Sequence, residues 1–229
     1  MGPAYTLGHK LADLVGMFKI NIQLFTSAGP AAAQKLAKLE RGIFLDLKYH
    51  DIPNTVSGAV SAAVMLPGVK LLNIHTLGGP VMLKAAAQAE KGAGLGARRP
   101  KLLGVTILTS HDAASLETVG IRGTPPSRAV KLARLAQKCG LDGVVASPQE
   151  VQAIRNACGR QFLIVVPGIR PTEIARLRPR KDDQARISTP RAAIEAGADY
   201  LVIGRPITAA ADPRAAAESI LEEMASALT

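Results

Sequence analysis

Short apolar runs alternate with helix-like segments along the chain, and this alternation restricts the possible folds more than any other feature of the sequence. The predicted strands are rich in β-branched residues and cover residues 16–20, 43–48, 69–75, 102–108, 143–146, 162–166 and 200–203. The predicted helices cover residues 31–41, 55–65, 80–91, 127–138, 148–157, 190–196 and 213–227. A regular strand, helix, strand order predicts a parallel sheet that is covered by helices.

Periodicity alone does not separate a closed barrel from an open, doubly wound sheet. No Gly-x-Gly-x-x-Gly follows an early strand, which disfavours a dinucleotide-binding sheet. Near the end of the chain, Gly168 and Arg170 follow one strand, and Gly204 and Arg205 follow the next. Barrels commonly hold a phosphate in the loops after their last two strands. We therefore predict a TIM (β/α)8-type barrel as one domain over residues 1–229.

The strand count departs from this expectation, because seven strands are found and eight close the barrel. Residues 1–13 have the pattern of a helix. We therefore expect a barrel that lacks its first strand.

Composition narrows the classes of function. No apolar run is long enough for a membrane span, and the start of the chain lacks the pattern of a signal peptide, which predicts a cytoplasmic protein. The net charge of +10 comes from dispersed Lys and Arg with only three Tyr and four Phe, which disfavours nucleic-acid binding. Neither the two cysteines nor the four histidines have the spacing of a metal site, so we predict none.

One strand carries charges at its carboxyl end, in the motif Asp46-x-Lys48-x-x-Asp51. Alternation along a strand sends Asp46 and Lys48 to the same face, because their spacing is two. Pro53 cannot continue a strand, and Asn54 and Thr55 have the character of a helix cap, so Asp51 belongs to the loop beyond the strand. Sites in parallel α/β folds are built at this end of the strands.

The run Phe-Leu-Asp-Leu-Lys-Tyr-His-Asp-Ile-Pro-Asn-Thr over residues 44–55 resembles the orotidine 5'-phosphate decarboxylase family, and the resemblance extends from about Phe18 to the end of the chain. It implies decarboxylation of orotidine 5'-monophosphate to uridine 5'-monophosphate without a cofactor. The implied array is Lys19, Asp46, Lys48 and Asp51, with Lys48 as the proton donor. Relative to the family, the chain looks truncated at its amino terminus, because no first strand with its carboxylate is found.

The resemblance also implies a homodimer in which Asp51 and Thr55 are shared across the interface. Thr109 is implied to lie near the pyrimidine ring, and Gln184 to bridge the base and the phosphate. Arg170, Gly204 and Arg205 match the phosphate site, although the segment between Arg170 and Gln184 looks longer than is typical of the family.

Two alternatives stay open. The first is another sugar-phosphate barrel enzyme, of the hexulose-phosphate synthase or keto-gulonate-phosphate decarboxylase type, because such enzymes share the Asp-x-Lys-x-x-Asp core. The second is a catalytically impaired remnant that binds a ligand.

Overall fold

The computed structural model describes residues 2–172 and 187–227, and its strands and helices alternate as predicted. The strands are β1 Met17–Asn21, β2 Gly42–Tyr49, β3 Val69–His75, β4 Lys101–Val105, β5 Gly143–Val145, β6 Leu163–Val166 and β7 Tyr200–Leu201. The helices are α1 Gly2–Leu11, α2 Ile22–Ala28, α3 Ala31–Ala37, α4 Pro53–Ala63, α5 Gly79–Gly92, α6 Ala113–Thr118, α7 Pro125–Lys138, α8 Val151–Cys158, α9 Pro190–Glu195, α10 Arg205–Thr208 and α11 Pro213–Ala225.

The chain forms two compact units. The first consists of Met1–Gly104 and Lys138–Asp142, and the second of Val105–Gln137 and Gly143–Thr229. In the first unit, β2 pairs in parallel with both β1 and β3. In the second unit, β6 pairs in parallel with both β5 and β7. The predicted parallel pairing is therefore confirmed within each unit.

Apolar strands and helices bury the core of the first unit. Ile20, Ile43, Leu45 and Leu72 on the strands are fully buried, as is Leu83 on α5. Runs of Ile and Leu that are buried on both faces are typical of parallel strands covered by helices. These strands carry polar side chains toward their carboxyl ends.

The segment at the start of the chain is helical, as predicted, and forms α1. Within the described residues β1 is the first strand in chain order, so the count of seven agrees with the prediction. Three short helices of four to seven residues, α2, α6 and α10, were not predicted.

The predicted cap of α4 at Asn54 and Thr55 is wrong. The helix begins at Pro53, with Ile52 as the residue before it, and no side chain caps it. Proline is well suited to the first position of a helix, because the N–H that it lacks would have no partner inside the helix. Thr55 therefore lies inside the first turn, where its side chain is exposed.

A Gly-x-Asp sequence occurs in each unit and makes the same contacts in both. Gly140 and Gly197 have positive φ angles of 87° and 104° and are followed two residues later by Asp142 and Asp199. The Asp142 carboxylate accepts the Leu102 N–H at 2.9 Å, and the Asp199 carboxylate accepts the Ile164 N–H at 2.7 Å. An arginine binds each carboxylate. This arrangement ties a helix end to the start of a neighbouring strand.

In the first unit the arginine is Arg99, which donates to both oxygens of Asp142, at 2.9 and 2.7 Å, and to Glu90 at 2.8 Å. Burial would raise the pKa of Asp142, but the hydrogen bonds from Arg99 and from the Leu102 N–H outweigh it and lower the pKa. For Glu90, burial raises the pKa of the carboxyl by more than the hydrogen bond and the charge of Arg99 lower it, so the pKa is raised overall. Folding therefore favours the ionised form of Asp142 and disfavours that of Glu90.

These opposite directions predict opposite effects of two matched amide variants. Asp142→Asn should lower the free energy of unfolding by roughly 3 kcal/mol at pH 7, and by less near pH 3, because the stabilisation from a lowered pKa is lost on acidification. Glu90→Gln should cost little or stabilise at pH 7, because a raised carboxyl pKa means that ionisation opposes folding. Denaturant unfolding at both pH values measures this difference. An equal loss for both variants, unchanged by pH, would contradict this account.

Candidate active site

The carboxyl end of β2 departs from a regular strand where the charged motif begins. Leu45 lies opposite Leu72 on β3, and the next aligned pair is Tyr49 and Ile74. Asp46, Leu47 and Lys48 therefore stand opposite the single residue Asn73. Lys48 has a positive φ of 52°, in the left-handed region that costs a non-glycine residue on the order of 1 to 3 kcal/mol. Such bulges redirect side chains and are common beside active sites.

Asp46 is the centre of the charged array. Its Oδ2 atom lies 3.0 Å from the Lys19 ammonium on β1, and its Oδ1 atom lies 2.5 Å from the Lys48 ammonium. The Asp46 side chain is only 11% exposed, whereas those of Lys19 and Lys48 are 30% and 36% exposed. A buried carboxylate thus holds two ammonium groups whose tips can reach a ligand. The side chains of Asp46 and Lys48 therefore meet within the bulge.

The charges of the array determine the ionisation of its carboxylate. Burial would raise the pKa of Asp46, but the nearby charges of Lys19 and Lys48, with hydrogen bonds from Lys48 and Asn73, outweigh it and lower the pKa. Asp46 is therefore ionised at neutral pH. Two ammonium charges and one carboxylate leave this array with a net charge of +1, which suits an anionic ligand.

Asn73, in the middle of β3, is a site residue that sequence reasoning missed. Its side chain is fully buried, donates from Nδ2 to Asp46 Oδ1 at 2.7 Å, and accepts the Lys48 backbone N–H at 2.8 Å. An asparagine within the apolar run Val69–His75 was the available signal, because a buried amide needs partners.

Asp51 and Thr55 are both exposed, and the structure does not place them in the array. The Asp51 carboxylate accepts the N–H of Ile52, the next residue, at 2.6 Å. Nearby, the rings of His50 and His75 are stacked with their centroids 5.3 Å apart, and the His75 Nδ1 atom accepts the Leu77 N–H at 3.3 Å. The two histidines thus contact each other at the carboxyl ends of β2 and β3.

The other predicted binding residues belong to the second unit. Arg170 is buried. One of its guanidinium nitrogens donates to the carbonyl oxygen of the preceding residue, Ile169, at 3.0 Å. Gly204 and Arg205 are exposed where α10 begins, after β7. Thr109 is half-buried in the loop before α6. Gln184 lies outside the described residues.

Two searches of the described residues gave no candidates. No group of three or more His, Cys, Asp or Glu side chains in residues 2–172 and 187–227 is arranged to hold a metal ion. Over the same ranges, no helix combines the length and the apolar character that crossing a bilayer requires.

Comparison with known proteins decides the family. The model of the orotidine 5'-phosphate decarboxylase / HUMPS family matches residues 4–220. The chain belongs to this family. The chain is also 56% identical to the orotidine 5'-phosphate decarboxylase of Trichlorobacter lovleyi over 94% of its length and 87% of that protein. The enzyme of the same name from Moorella thermoacetica is 49% identical, over 97% of this chain and 88% of that protein.

Solved structures that align with this chain support its assignment to the orotidine 5'-phosphate decarboxylase / HUMPS family. The crystal structure of orotidine 5'-phosphate decarboxylase from Lactobacillus acidophilus aligns with a TM-score of 0.75 at 40% identity, over 90% of this chain and 85% of that one. The enzyme of the same name from Pyrococcus horikoshii, at 24% identity and a TM-score of 0.75, is similar in fold and covers 98% of this chain and 94% of its own. The predicted fold class, an α/β fold of the TIM-barrel type, is confirmed.

Proposed function

We propose that this chain decarboxylates orotidine 5'-monophosphate to uridine 5'-monophosphate without a metal or an organic cofactor. The observation that carries the proposal is the array of Lys19, Asp46 and Lys48, in a chain 56% identical to a protein named for this reaction. The array offers a proton donor beside a fixed negative charge, which is the chemistry that loss of CO2 from a pyrimidine requires.

The reaction breaks the bond between C6 and its carboxylate, and the electron pair stays on C6 while CO2 leaves. No neighbouring group can accept this pair, so the site must stabilise a carbanion. The Lys48 ammonium is suited to do so, because a full positive charge close to C6 lowers the energy of the developing anion. Lys48 Nζ then gives its proton to C6, which completes the C–H bond of the product.

Asp46 keeps Lys48 ready for this step. Its ionised carboxylate lies 2.5 Å from the Lys48 ammonium and holds the ammonium in place through a charged hydrogen bond. Lys19 binds the other oxygen of the same carboxylate. Rotation of the Asp46 side chain away from Lys48 would therefore also break its ion pair with Lys19. We propose that Lys19 also contacts the substrate, because its ammonium is partly exposed.

The remaining predicted residues would bind the rest of the nucleotide. We propose that Gly204 and Arg205, with Arg170, hold the phosphate, that Thr109 contacts the ring, and that Gln184 links the base to the phosphate. Arg205 supports this proposal best, because it is exposed beside a glycine at the start of a helix.

The organisation of the chain as a single domain and its cytoplasmic location stay predictions.

We propose that the enzyme is a homodimer and that Asp51 and Thr55 complete the site of the partner subunit. Both side chains are exposed just past the carboxyl end of β2. Large apolar side chains are also exposed shortly beyond the ends of β1, β2 and β3, namely Ile22, Ile52, Leu77 and Val81. Contact with a second copy of this chain would remove these side chains from water and would bring another carboxylate near an array with a net positive charge.

Replacing Arg205 by alanine should lower kcat/KM by roughly 10- to 150-fold, because a hydrogen bond to a charged group contributes about 1.5 to 3 kcal/mol. Both affinity and turnover should fall, since binding energy from a remote phosphate helps to organise the reacting end of the substrate. Arg191→Ala, which removes an exposed arginine paired with Glu195 on α9, is the matched control and should leave kcat/KM unchanged. Unchanged kinetics for Arg205→Ala would place the phosphate elsewhere.

The family name also covers the hexulose-phosphate type of enzyme, which is the second candidate. A chelator separates the two, because the proposed reaction needs no metal. Turnover of orotidine 5'-monophosphate that is unchanged in excess EDTA supports the first candidate. Activity that appears only on a sugar phosphate after a divalent cation is added supports the second.

A further inference from the structure

The bulge at the end of β2 leaves a backbone donor that the sheet cannot satisfy in the regular way. Three residues of β2 face one residue of β3, so the ladder is interrupted at Lys48. The Lys48 N–H is bonded instead by the side chain of Asn73, from the neighbouring strand, at 2.8 Å. A buried N–H without a partner is strongly unfavourable, so this contact is important for the local backbone path.

The chemistry of the partners sets the orientation of the Asn73 amide. A backbone N–H can only donate, so it faces Oδ1, and the Asp46 carboxylate can only accept, so it faces Nδ2. One side chain therefore contacts both the backbone of Lys48 and the carboxylate that binds the Lys48 ammonium. Asn73 is fully buried. Its side chain is neutral, so it contacts these atoms without being a member of either ion pair.

We propose that Asn73 is a positioning residue for the reaction. It holds Lys48 in its left-handed backbone conformation and fixes the Asp46 oxygen that the Lys48 ammonium contacts. The direction of the ammonium thus depends on a neutral side chain that does not itself touch the substrate. This inference rests on the proposed function for its kinetic consequences, whereas the contact with the Lys48 backbone stands independently of it.

The first test is Asn73→Ala. We expect kcat to fall by about 100-fold, since a displacement of about 1 Å in a reacting group can cost this much. The dissociation constant of uridine 5'-monophosphate should change by less than about threefold, because binding energy resides mainly in groups that the mutation leaves in place. The Lys48 amide, followed by hydrogen exchange, should lose its protection because its acceptor is gone.

Ile74→Ala is the matched control for destabilisation. Ile74 is the next residue of β3, is fully buried, and points to the opposite face of the sheet. This variant should lose thermal stability while kcat and the protection of the Lys48 amide stay near the wild-type values. A loss of kcat in Asn73→Ala no larger than that in Ile74→Ala would overturn the proposal.

Asn73→Asp is the second variant and keeps the proposal testable if Asn73→Ala does not fold. It retains an oxygen for the Lys48 N–H, so the protection of this amide should persist. It also places a second carboxylate beside Asp46, and two adjacent carboxylates cannot both ionise easily, although Lys19 and Lys48 lie close by. The acid limb of the kcat profile should therefore move to higher pH. An unmoved profile would contradict the proposed contact with Asp46.

Failure of the proposed function can be told apart from failure of this inference. If the wild-type chain does not convert orotidine 5'-monophosphate, the function is wrong. The exchange rate of the Lys48 amide in Asn73→Ala, compared with Ile74→Ala, still decides whether Asn73 holds the Lys48 backbone. Equal protection of that amide in both variants would overturn the inference.

Discussion

Lys48→Ala should reduce the turnover of orotidine 5'-monophosphate by at least about 10⁴-fold, because the variant loses both the proton donor and the charge that stabilises the carbanion. The binding of uridine 5'-monophosphate should stay measurable, since Lys48 serves the transition state more than the ground state. Single-turnover kinetics and a binding titration on the same preparation measure the two effects separately.

Lys70→Ala is the control for this variant, because Lys70 is an exposed lysine on the neighbouring strand β3. It should retain the wild-type rate. The Lys48→Ala chain should remain folded, since Asp46 keeps its ion pair with Lys19 and its hydrogen bond from Asn73, and alanine, which also has a Cβ, leaves the cost of the positive φ unchanged. Retention of even a tenth of the wild-type rate by Lys48→Ala would exclude Lys48 as the proton donor.

Mixing two inactive variants, Lys48→Ala and Asp51→Ala, should restore activity. If Asp51 completes the site of the partner subunit, each mixed dimer has one site that takes both residues from intact positions on different chains. Random exchange of equal amounts makes half of the dimers mixed, so about a quarter of the wild-type activity should return. The measurement is turnover after subunit exchange has been verified by mass spectrometry of the intact dimers.

The same experiment contains its own control. Each variant alone, taken through the identical exchange procedure, should stay inactive. No recovery in verified mixed dimers would place Asp51 in the site of its own chain, and the exposed Asp51 carboxylate would then have to move toward Lys48. A protein that stays monomeric at working concentrations would contradict the dimer itself.

The sequence predicted those parts of the fold that depend on long or strongly apolar segments. The strand Val69–His75 was predicted with its observed bounds, and α4, α5 and α7 were located to within two residues at either end. Hydrophobic periodicity over ten or more residues shows which face of a segment is buried, and the burial of that face stabilises these elements. The short helices α2 and α6 depend instead on side-chain caps, such as the contact of Asn21 with the Leu24 N–H, and the pattern did not reveal them. The helix α10 has no side-chain cap and is only four residues long.

The candidate site was predictable in its charged residues but not in its backbone geometry. Lys19, Asp46 and Lys48 stand out as charges within apolar strands, and the structure brings them together. The bulge and the positive φ of Lys48 arise from pairing with β3, which no local pattern around Lys48 encodes. Asn73 was missed for the same reason, because its role depends on residues 25 and 27 positions earlier in the chain.

The most direct test of the central claim is to follow the loss of orotidine 5'-monophosphate absorbance with the purified chain in excess EDTA. The proposed function predicts loss of substrate at a rate proportional to enzyme concentration, with equimolar formation of CO2 and uridine 5'-monophosphate, and no dependence on added metal. Absence of turnover by a folded chain that still binds uridine 5'-monophosphate would contradict the proposed catalysis and would favour a protein that only binds the nucleotide.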